Sequence, residues 1–178
     1  LKENGQVSFY TRAGQRYEGL VDLEQEMLEK LPDGLCLDGE ITIFDNKGIP
    51  SKEAYKKAMK ITRSDGEKHG LKMLVFDCML AEEFRAQRCD RVWEDRRAAL
   101  DHIFSKHDLT YFELLPVLYK GQDTSKITEL LNEAIANKEE GIMINIALAP
   151  YEFKRTNFLL KVKKMSTLDL EIVGYEEG

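Results

Sequence analysis

The ten residues from Leu35 to Phe44, L-C-L-D-G-E-I-T-I-F, constrain the fold more than any other stretch of the chain. Their apolar and β-branched composition predicts a β-strand, in which side chains point alternately to two faces. One face carries Leu35, Leu37, Ile41 and Ile43, and the other carries Cys36, Asp38, Glu40, Thr42 and Phe44. Two carboxylates that leave an apolar strand on the same side are costly to bury unpaired, so a cation, a metal ion or a hydroxyl should meet them. The alternative is an edge strand whose acidic face is solvated.

The composition is that of a single globular domain of 178 residues, with 43% apolar and 33% charged residues. No apolar run is long enough to span a bilayer. The three cysteines are odd in number and lack a metal-ligand spacing, so we expect reduced thiols in a cytoplasmic protein. The net charge of −6 argues against a protein that coats nucleic acid by bulk attraction, but a local basic groove is compatible with it because cations cluster between residues 154 and 164.

The rest of the chain alternates between helical and strand-like patterns. Asp22 and Gln25 have the spacing of a capping box and predict the start of a helix. The predicted helices are 22–31, 51–61, 92–104 and 127–136, and the predicted strands besides 35–44 are 7–11, 71–80, 111–117, 141–144, 159–164 and 168–175. This mixture predicts an α+β domain with antiparallel sheets.

A second pair of like charges stands near the end of the chain. If 159–164 is a strand, Lys161 and Lys163 share one face, as Asp38 and Glu40 do. Two lysines on one buried face repel each other unless an anion lies between them. Two carboxylates and two lysines that face one cleft would suit a metal-bound nucleotide phosphate. A purely structural Lys–Glu ion-pair network would explain the same residues.

The order of these segments resembles a known family. T-R-A-G (11–14), L-D-G-E-I-T-I-F (37–44), L-V-F-D (74–77), E-E-G-I-M-I (139–144) and L-L-K-V-K-K (159–164) are similar to the nucleotidyltransferase motif series of ATP-dependent DNA ligases. The resemblance implies an α+β, ATP-grasp-like fold, in which two mainly antiparallel sheets flank a nucleotide cleft and helices lie outside. It also implies a nucleotidyltransferase (adenylation) domain over residues 1–165, and a linker with the first strand of an absent OB-fold domain over residues 166–178.

The resemblance further implies roles for individual residues. Arg12 would contact the nucleotide or a DNA 5′-phosphate, and Phe76 would stack on adenine. Glu40, supported by Asp38, would hold the ribose or a metal ion. The remaining implied roles are metal binding by Glu140 and binding of the α-phosphate by Lys161 and Lys163. The implied cofactors are ATP, held as AMP, and Mg²⁺.

The sequence departs from the family pattern at two points. A basic residue usually follows E-G-I-M-I, and here the residue is Asn145. The family forms a lysyl-adenylate at a K-x-D-G motif, which this sequence lacks. Lys2 lies in K-E-N-G but is too close to Arg12, so we expect a fragment that begins just after the catalytic lysine and does not adenylylate itself.

The implied parent enzyme seals nicked double-stranded DNA with ATP, in replication, repair and recombination, as a monomer that does not bind membranes. The alternatives within the same superfamily are an RNA ligase and a GTP-using mRNA capping guanylyltransferase, and E-G-I-M-I and D-G-E favour a DNA ligase over both. A different class of function is a non-catalytic module that binds nucleotide or DNA without forming a covalent adenylate.

Overall fold

The computed structural model describes residues 1–164, which form an α+β domain. The predicted strand 168–175 and the predicted domain boundary near 165 therefore lie outside the described residues. The helices are α1 (Val21–Lys30), α2 (Ser51–Thr62), α3 (Ala81–Ala86), α4 (Trp93–Lys106) and α5 (Ser125–Ala136). The strands are β1 (Lys2–Glu3), β2 (Gln6–Val7), β3 (Phe9–Tyr10), β4 (Arg16–Tyr17), β5 (Leu35–Ile43), β6 (Leu71–Leu80), β7 (Cys89–Val92), β8 (Phe112–Leu114), β9 (Gly141–Asn145), β10 (Pro150–Tyr151) and β11 (Leu159–Lys163).

The central element is a five-stranded sheet with the order β2-β1-β5-β6-β8. The predicted strands β5 and β6 are both present and pair antiparallel along their full length, from Leu35 opposite Leu80 to Ile43 opposite Leu71. β8 pairs with β6 in the parallel direction, so the sheet is mainly rather than wholly antiparallel. The reason is the connection, because α3, β7 and α4 lie between β6 and β8 and bring the chain back to the same end of the sheet.

Helices α1, α2 and α4 contribute to the core that covers this sheet. Leu23 and Met27 of α1, Ala54 and Ala58 of α2 and Leu100 of α4 belong to one buried cluster with the apolar side chains of β5 and β6. The two alanines leave room for α2 to approach β5 closely, and α2 packs directly against that strand. The position of β5 is therefore fixed by packing of its apolar face against these helices.

A bulge interrupts the pairing of β5 and β6 next to the predicted carboxylate pair. Asp38 lies opposite Asp77 and Gly39 opposite Val75, so Phe76 has no cross-strand partner. A Cβ on Gly39 would lie 2.4 Å from the carbonyl oxygen of Leu74, so this close approach of the two backbones needs glycine.

The second sheet relevant to function is the antiparallel pair β9–β11. Its five-residue register places Lys161 opposite Met143 and Lys163 opposite Gly141. α5 packs on β9, and no residue of α5 is fully buried. Two further pairs, β3–β4 and β7–β10, complete the described part of the fold.

Some sequence-based predictions are wrong in detail. α1 begins at Val21 with Leu20 in the N-cap position, so Asp22 lies within the helix and does not cap it. The Asp22 carboxylate instead contacts the ring Nδ1 of His69, 2.9 Å away, and accepts a hydrogen bond from the backbone N–H of Gly70. The predicted strand 7–11 is split into β2 and β3, and the predicted strand 111–117 is only three residues long. α3 and β7 were not predicted.

Within residues 1–164, none of the helices combines the length and apolar character needed to cross a membrane.

Candidate functional site

Glu140 lies between Lys161 and Lys163 in the structure. Lys161 Nζ donates a hydrogen bond to Glu140 Oε2 at 2.8 Å, and Lys163 Nζ lies 3.6 Å from Glu140 Oε1. The hydrogen bond from Lys161 and the positive charge of the two lysines lower the pKa of Glu140. The predicted shared face of the two lysines is confirmed, and the anion between them is a carboxylate of the chain itself.

The prediction that these lysines lie on a buried face is wrong. The side chains of Lys161, Lys163 and Glu140 are 48%, 54% and 56% exposed. They are exposed because β9–β11 is a two-stranded sheet with α5 as its packing helix, which leaves the other face open.

Glycine at position 141 allows this arrangement. A Cβ there would lie 2.1 Å from the carbonyl oxygen of Val162 and 3.0 Å from the Cα of Lys163. The absence of a side chain therefore lets β9 begin directly beside Lys163, with Glu140 as the residue before the strand. The pairing of Gly141 with Lys163 therefore places the Glu140 carboxylate within reach of the ammonium groups of both Lys161 and Lys163.

A buried network surrounds the other predicted carboxylate, Asp38. The hydroxyl of Tyr151 donates a hydrogen bond to Asp38 Oδ2 at 2.7 Å. Burial raises the pKa of Asp38, the hydrogen bond from Tyr151 opposes that rise, and the neighbouring carboxylate of Asp77 adds to it. Asp38 is therefore partly buried, and its polar partner is a phenol.

Asp77 has a cationic partner. Arg96 Nε and Nη2 donate to the two carboxylate oxygens of Asp77 at 2.7 and 2.8 Å, and the arginine side chain is 3% exposed. The guanidinium of Arg96 also lies 5.4 Å from the ring centroid of Tyr151. Asp38, Tyr151, Arg96 and Asp77 thus form one network that joins β5, β6, α4 and β10.

The sequence did not predict Tyr151 and Arg96 as members of this network. The available signal was Asp77, a carboxylate within an almost continuous apolar run that needs a partner when buried. The identity of the two partners had no signal in the sequence, because Arg96 is 19 residues from Asp77 and Tyr151 is 113 residues from Asp38.

The remaining predicted site residues lie around β5 and β6 and are not joined to Glu140 by contacts. Glu40 is exposed on β5, and Arg12 is exposed in the loop between β3 and β4, where its charge lowers the pKa of Asp38 slightly against the effect of burial. Phe76 is half-buried at the bulge of β6. Among residues 1–164, neither a hydrogen bond nor an ion pair connects Glu40 with Glu140, Lys161 or Lys163.

Lys2, the lysine of the K-E-N-G sequence, has a structural role. Its Nζ donates to the carbonyl oxygens of Leu28 and Leu31, both at 2.7 Å, at the C-terminal end of α1. The residue is 9% exposed. The ammonium group of Lys2 is therefore occupied at the C-terminal end of α1, where it caps the helix.

Comparison with known proteins identifies the family. A family model described as the ATP dependent DNA ligase domain matches residues 1–163. The chain is 26% identical to a DNA ligase of Archaeoglobus fulgidus, over 99% of this chain and 32% of that protein. It is also 26% identical to the multifunctional non-homologous end joining protein LigD of Pseudomonas aeruginosa, over 98% of this chain and 20% of that protein.

A solved structure agrees with these relatives. The fold is similar to that of the Chlorella virus DNA ligase-adenylate, with a TM-score of 0.61 at 17% identity, over 92% of this chain and 57% of that one. The chain spans about a third of the Archaeoglobus protein and a fifth of the Pseudomonas protein. With the family model matching nearly the whole sequence, this chain belongs to the ATP-dependent DNA ligase domain family.

Proposed function

We propose that this chain is the nucleotidyltransferase domain of an ATP-dependent DNA ligase that seals nicks in double-stranded DNA. The observation that carries the proposal is the position of the Glu140 carboxylate between Lys161 and Lys163. Two ammonium groups that both reach one carboxylate can also reach two oxygens of one phosphate, because the two anions present their oxygens at similar separations.

In this proposal the α-phosphate of ATP replaces the Glu140 carboxylate between the two lysines. Lys161 and Lys163 then stabilise the negative charge that develops on the phosphate during transfer of AMP. The exposure of the three side chains is consistent with such an exchange, since no packed side chain has to move. Glu140 is thereby released from the two lysines and can bind Mg²⁺.

Glu40 and Glu140 would hold Mg²⁺ together with the phosphates. Within residues 1–164 there is no group of three or more His, Cys, Asp or Glu side chains that could hold a metal ion alone. The donor set nevertheless fits Mg²⁺, which is usually bound by one or two carboxylates and by substrate phosphates. When bound, the ion would neutralise charge on the phosphate oxygens. Phe76 would stack on adenine and Arg12 would contact a phosphate of the nucleotide or of the nick.

The lysine that accepts AMP is proposed to lie outside residues 1–178, since these residues lack K-x-D-G and Lys2 is used as a helix cap. The proposed reaction has three steps. AMP is joined to that lysine with release of pyrophosphate, then moves to the 5′-phosphate of the nick, and is released when the 3′-hydroxyl attacks.

We further propose that residues 166–178 lead into an OB-fold domain, and that the protein acts as a cytoplasmic monomer in DNA replication, repair and recombination.

The test is label transfer and nick joining by the natural full-length protein. With α-labelled ATP and Mg²⁺ we expect a covalently labelled protein, and with a nicked DNA duplex we expect joined strands. The 178-residue chain alone should remain unlabelled. Label from GTP but not from ATP, or joining of RNA nicks only, would overturn the proposal in favour of a related enzyme, and label on Lys2 would show that the helix cap is the nucleophile.

A further inference from the structure

A stripe of basic residues runs along the outer face of α2. We call Lys52, Lys56, Lys60 and Arg63 the α2 basic stripe; all four are exposed. At about 100° per residue they fall within an arc of about 80°, on the side of the helix opposite the buried Ala54 and Ala58. The stripe is therefore a continuous positive surface on a chain whose net charge is −6.

Within residues 1–164 the four side chains of the α2 basic stripe have no carboxylate partner. The other lysine of this helix does have one, because Lys57 pairs with Glu53 at 2.9 Å. On α3, the exposed Arg85 is likewise paired, with Glu3 at 2.8 Å. The charges of the stripe are thus left available to an anion from outside.

The stripe does not stabilise its own helix. Lys56 and Lys60 are four residues apart, a spacing at which like charges destabilise a helix, and Lys52 stands in the first turn, where the helix dipole disfavours a cation. The helix dipole favours cations near the C-terminal end and so accounts for Lys60 and Arg63, but it does not account for Lys52 and Lys56. An external polyanion would relieve the repulsion along the whole stripe.

One end of the stripe lies near the proposed nucleotide site. The backbone N–H of Ser51, the first residue of α2, donates to the carbonyl oxygen of Lys138 at 3.4 Å, two residues before Glu140. From Lys52 to Arg63 the helix extends by about 16 Å, which corresponds to about five base-pair steps along the axis of a duplex. Tyr55, which is 48% exposed, and Met59 line a shallow depression together with the last three residues of the stripe.

We propose that the α2 basic stripe binds the phosphate backbone of the duplex on one side of the nick, as a contact outside the nucleotide cleft. The inference rests on the proposed function, because it names a second surface for the same DNA. The stripe contributes affinity without reading sequence, since lysine and arginine contacts to phosphates carry no base information.

The test compares two variants of the natural full-length protein that lose the same charge. The stripe variant is Lys56→Gln, Lys60→Gln and Arg63→Gln, and the control variant is Arg88→Gln, Lys106→Gln and Lys126→Gln. Binding to a nicked duplex is measured by fluorescence anisotropy without ATP, from about 50 to about 200 mM salt. Log affinity falls with log salt, and each phosphate contact makes this slope steeper by about 0.9. The stripe variant should therefore have a slope that is shallower by about 2 to 3 than that of the unaltered protein. The control should keep the slope of the unaltered protein.

A charge-conserving variant separates binding from folding. Lys56→Arg, Lys60→Arg and Arg63→Lys should retain the slope, and thermal melts should show that all variants are folded. Because the stripe runs in one direction from the site, shortening the duplex on one flank of the nick should reduce the slope of the unaltered protein, whereas shortening the other flank should not.

An unchanged slope in the stripe variant would overturn the inference, because it would show that the stripe makes no phosphate contact. Nick joining by the unaltered protein, measured in parallel, tests the proposed function separately. Joining together with an unchanged slope in the stripe variant refutes this inference alone, whereas absence of both labelling and joining refutes the proposed function.

Discussion

At the scale of single residues, neighbouring lysines in one short segment have different environments. Lys161 and Lys163 both reach Glu140, whereas Lys164 follows the end of β11 and is exposed. In the natural full-length protein, Lys161→Ala and Lys163→Ala should each slow adenylylation by about two to three decades, because loss of one charge-assisted phosphate contact costs roughly 2–4 kcal/mol. Lys164→Ala should stay within about 0.5 kcal/mol of the unaltered protein. The assay is transfer of label from ATP, and equal losses in all three variants would contradict the proposed phosphate site.

A second prediction at this scale concerns the buried pair Asp77–Arg96. Arg96→Met leaves a buried carboxylate without its cation and should lower the free energy of unfolding by about 3–5 kcal/mol. The double variant Asp77→Asn, Arg96→Met removes both charges and should recover at least about 1 kcal/mol of that loss. Urea unfolding of the unaltered protein, the two single variants and the double variant checks this, and strictly additive losses would show that the two charges do not interact.

At the scale of elements, the close approach of β9 and β11 depends on Gly141. A methyl group at this position would lie 2.1 Å from a backbone oxygen, which cannot move without separating the strands. Gly141→Ala should therefore cost about 1–3 kcal/mol of stability and should also reduce label transfer, because Lys163 lies directly opposite.

Gly121→Ala is the matched control for this prediction. Its Cβ would meet only the end of the exposed Tyr119 side chain, which can rotate away. Thermal melts and label transfer of both variants are the measurements. Normal transfer by Gly141→Ala would show that the β9–β11 register does not position the phosphate site.

The elements also show what alternation along the chain could and could not predict. The strands β5, β6, β9 and β11 and the helices α2 and α5 have clear local periodicity, and each lies within a few residues of its predicted bounds. β7 and β10 are short and exist because they pair with each other across more than fifty residues, a contact that no local pattern encodes. The capping box also failed, because α1 begins before Asp22, whose carboxylate contacts His69 and Gly70 of a distant loop.

The candidate site also has one part that local pattern could predict, formed by Lys161, Lys163 and Glu140, and one part that it could not, the network of Asp38. The spacing of Lys161 and Lys163 was sufficient to place them on one face, and Glu140 meets them because it precedes the partner strand. The network of Asp38 could not be derived from spacing, because its partners Tyr151 and Arg96 come from β10 and α4. Predictions from local pattern therefore succeeded where the site depends on one strand pair and failed where it depends on the packing of four elements.

At the scale of the whole molecule, stability and the proposed chemistry lie in different parts. The buried core covers the five-stranded sheet, whereas Glu140, Lys161 and Lys163 lie on the exposed face of the β9–β11 pair. The segment between β9 and β10 is tied to the start of α4, where the backbone N–H groups of Trp93 and Glu94 donate to the carbonyl oxygens of Ala149 and Ala147. A packed scaffold that carries an open pair of strands is consistent with a site that exchanges an internal carboxylate for a ligand.

The ion pair Glu83–Arg91 joins α3, at the end of β6, to β7, the partner of β10. Arg91 donates two hydrogen bonds to the carboxylate at 3.0 and 2.7 Å, and the backbone N–H of Leu80 donates a third. These bonds lower the pKa of Glu83 to about 2, with the contribution of Arg91 the largest. Because the folded pKa is depressed, the stabilisation is present above the unfolded value of 4.5 and is lost as the pH falls from there towards 2.

Glu83→Gln should therefore lower the free energy of unfolding at pH 7 by about 1.5–3 kcal/mol, the range for hydrogen bonds to a charged group. The difference from the unaltered protein should shrink as the pH falls through the window from 4.5 to about 2, because the carboxyl of the unaltered protein then also becomes neutral. Glu82→Gln, which changes the adjacent and exposed residue, should stay within about 0.5 kcal/mol throughout. The measurement is urea unfolding at several pH values, and a constant difference between Glu83→Gln and the unaltered protein down to pH 2 would show that the charge of Glu83 does not hold α3 and β7 together.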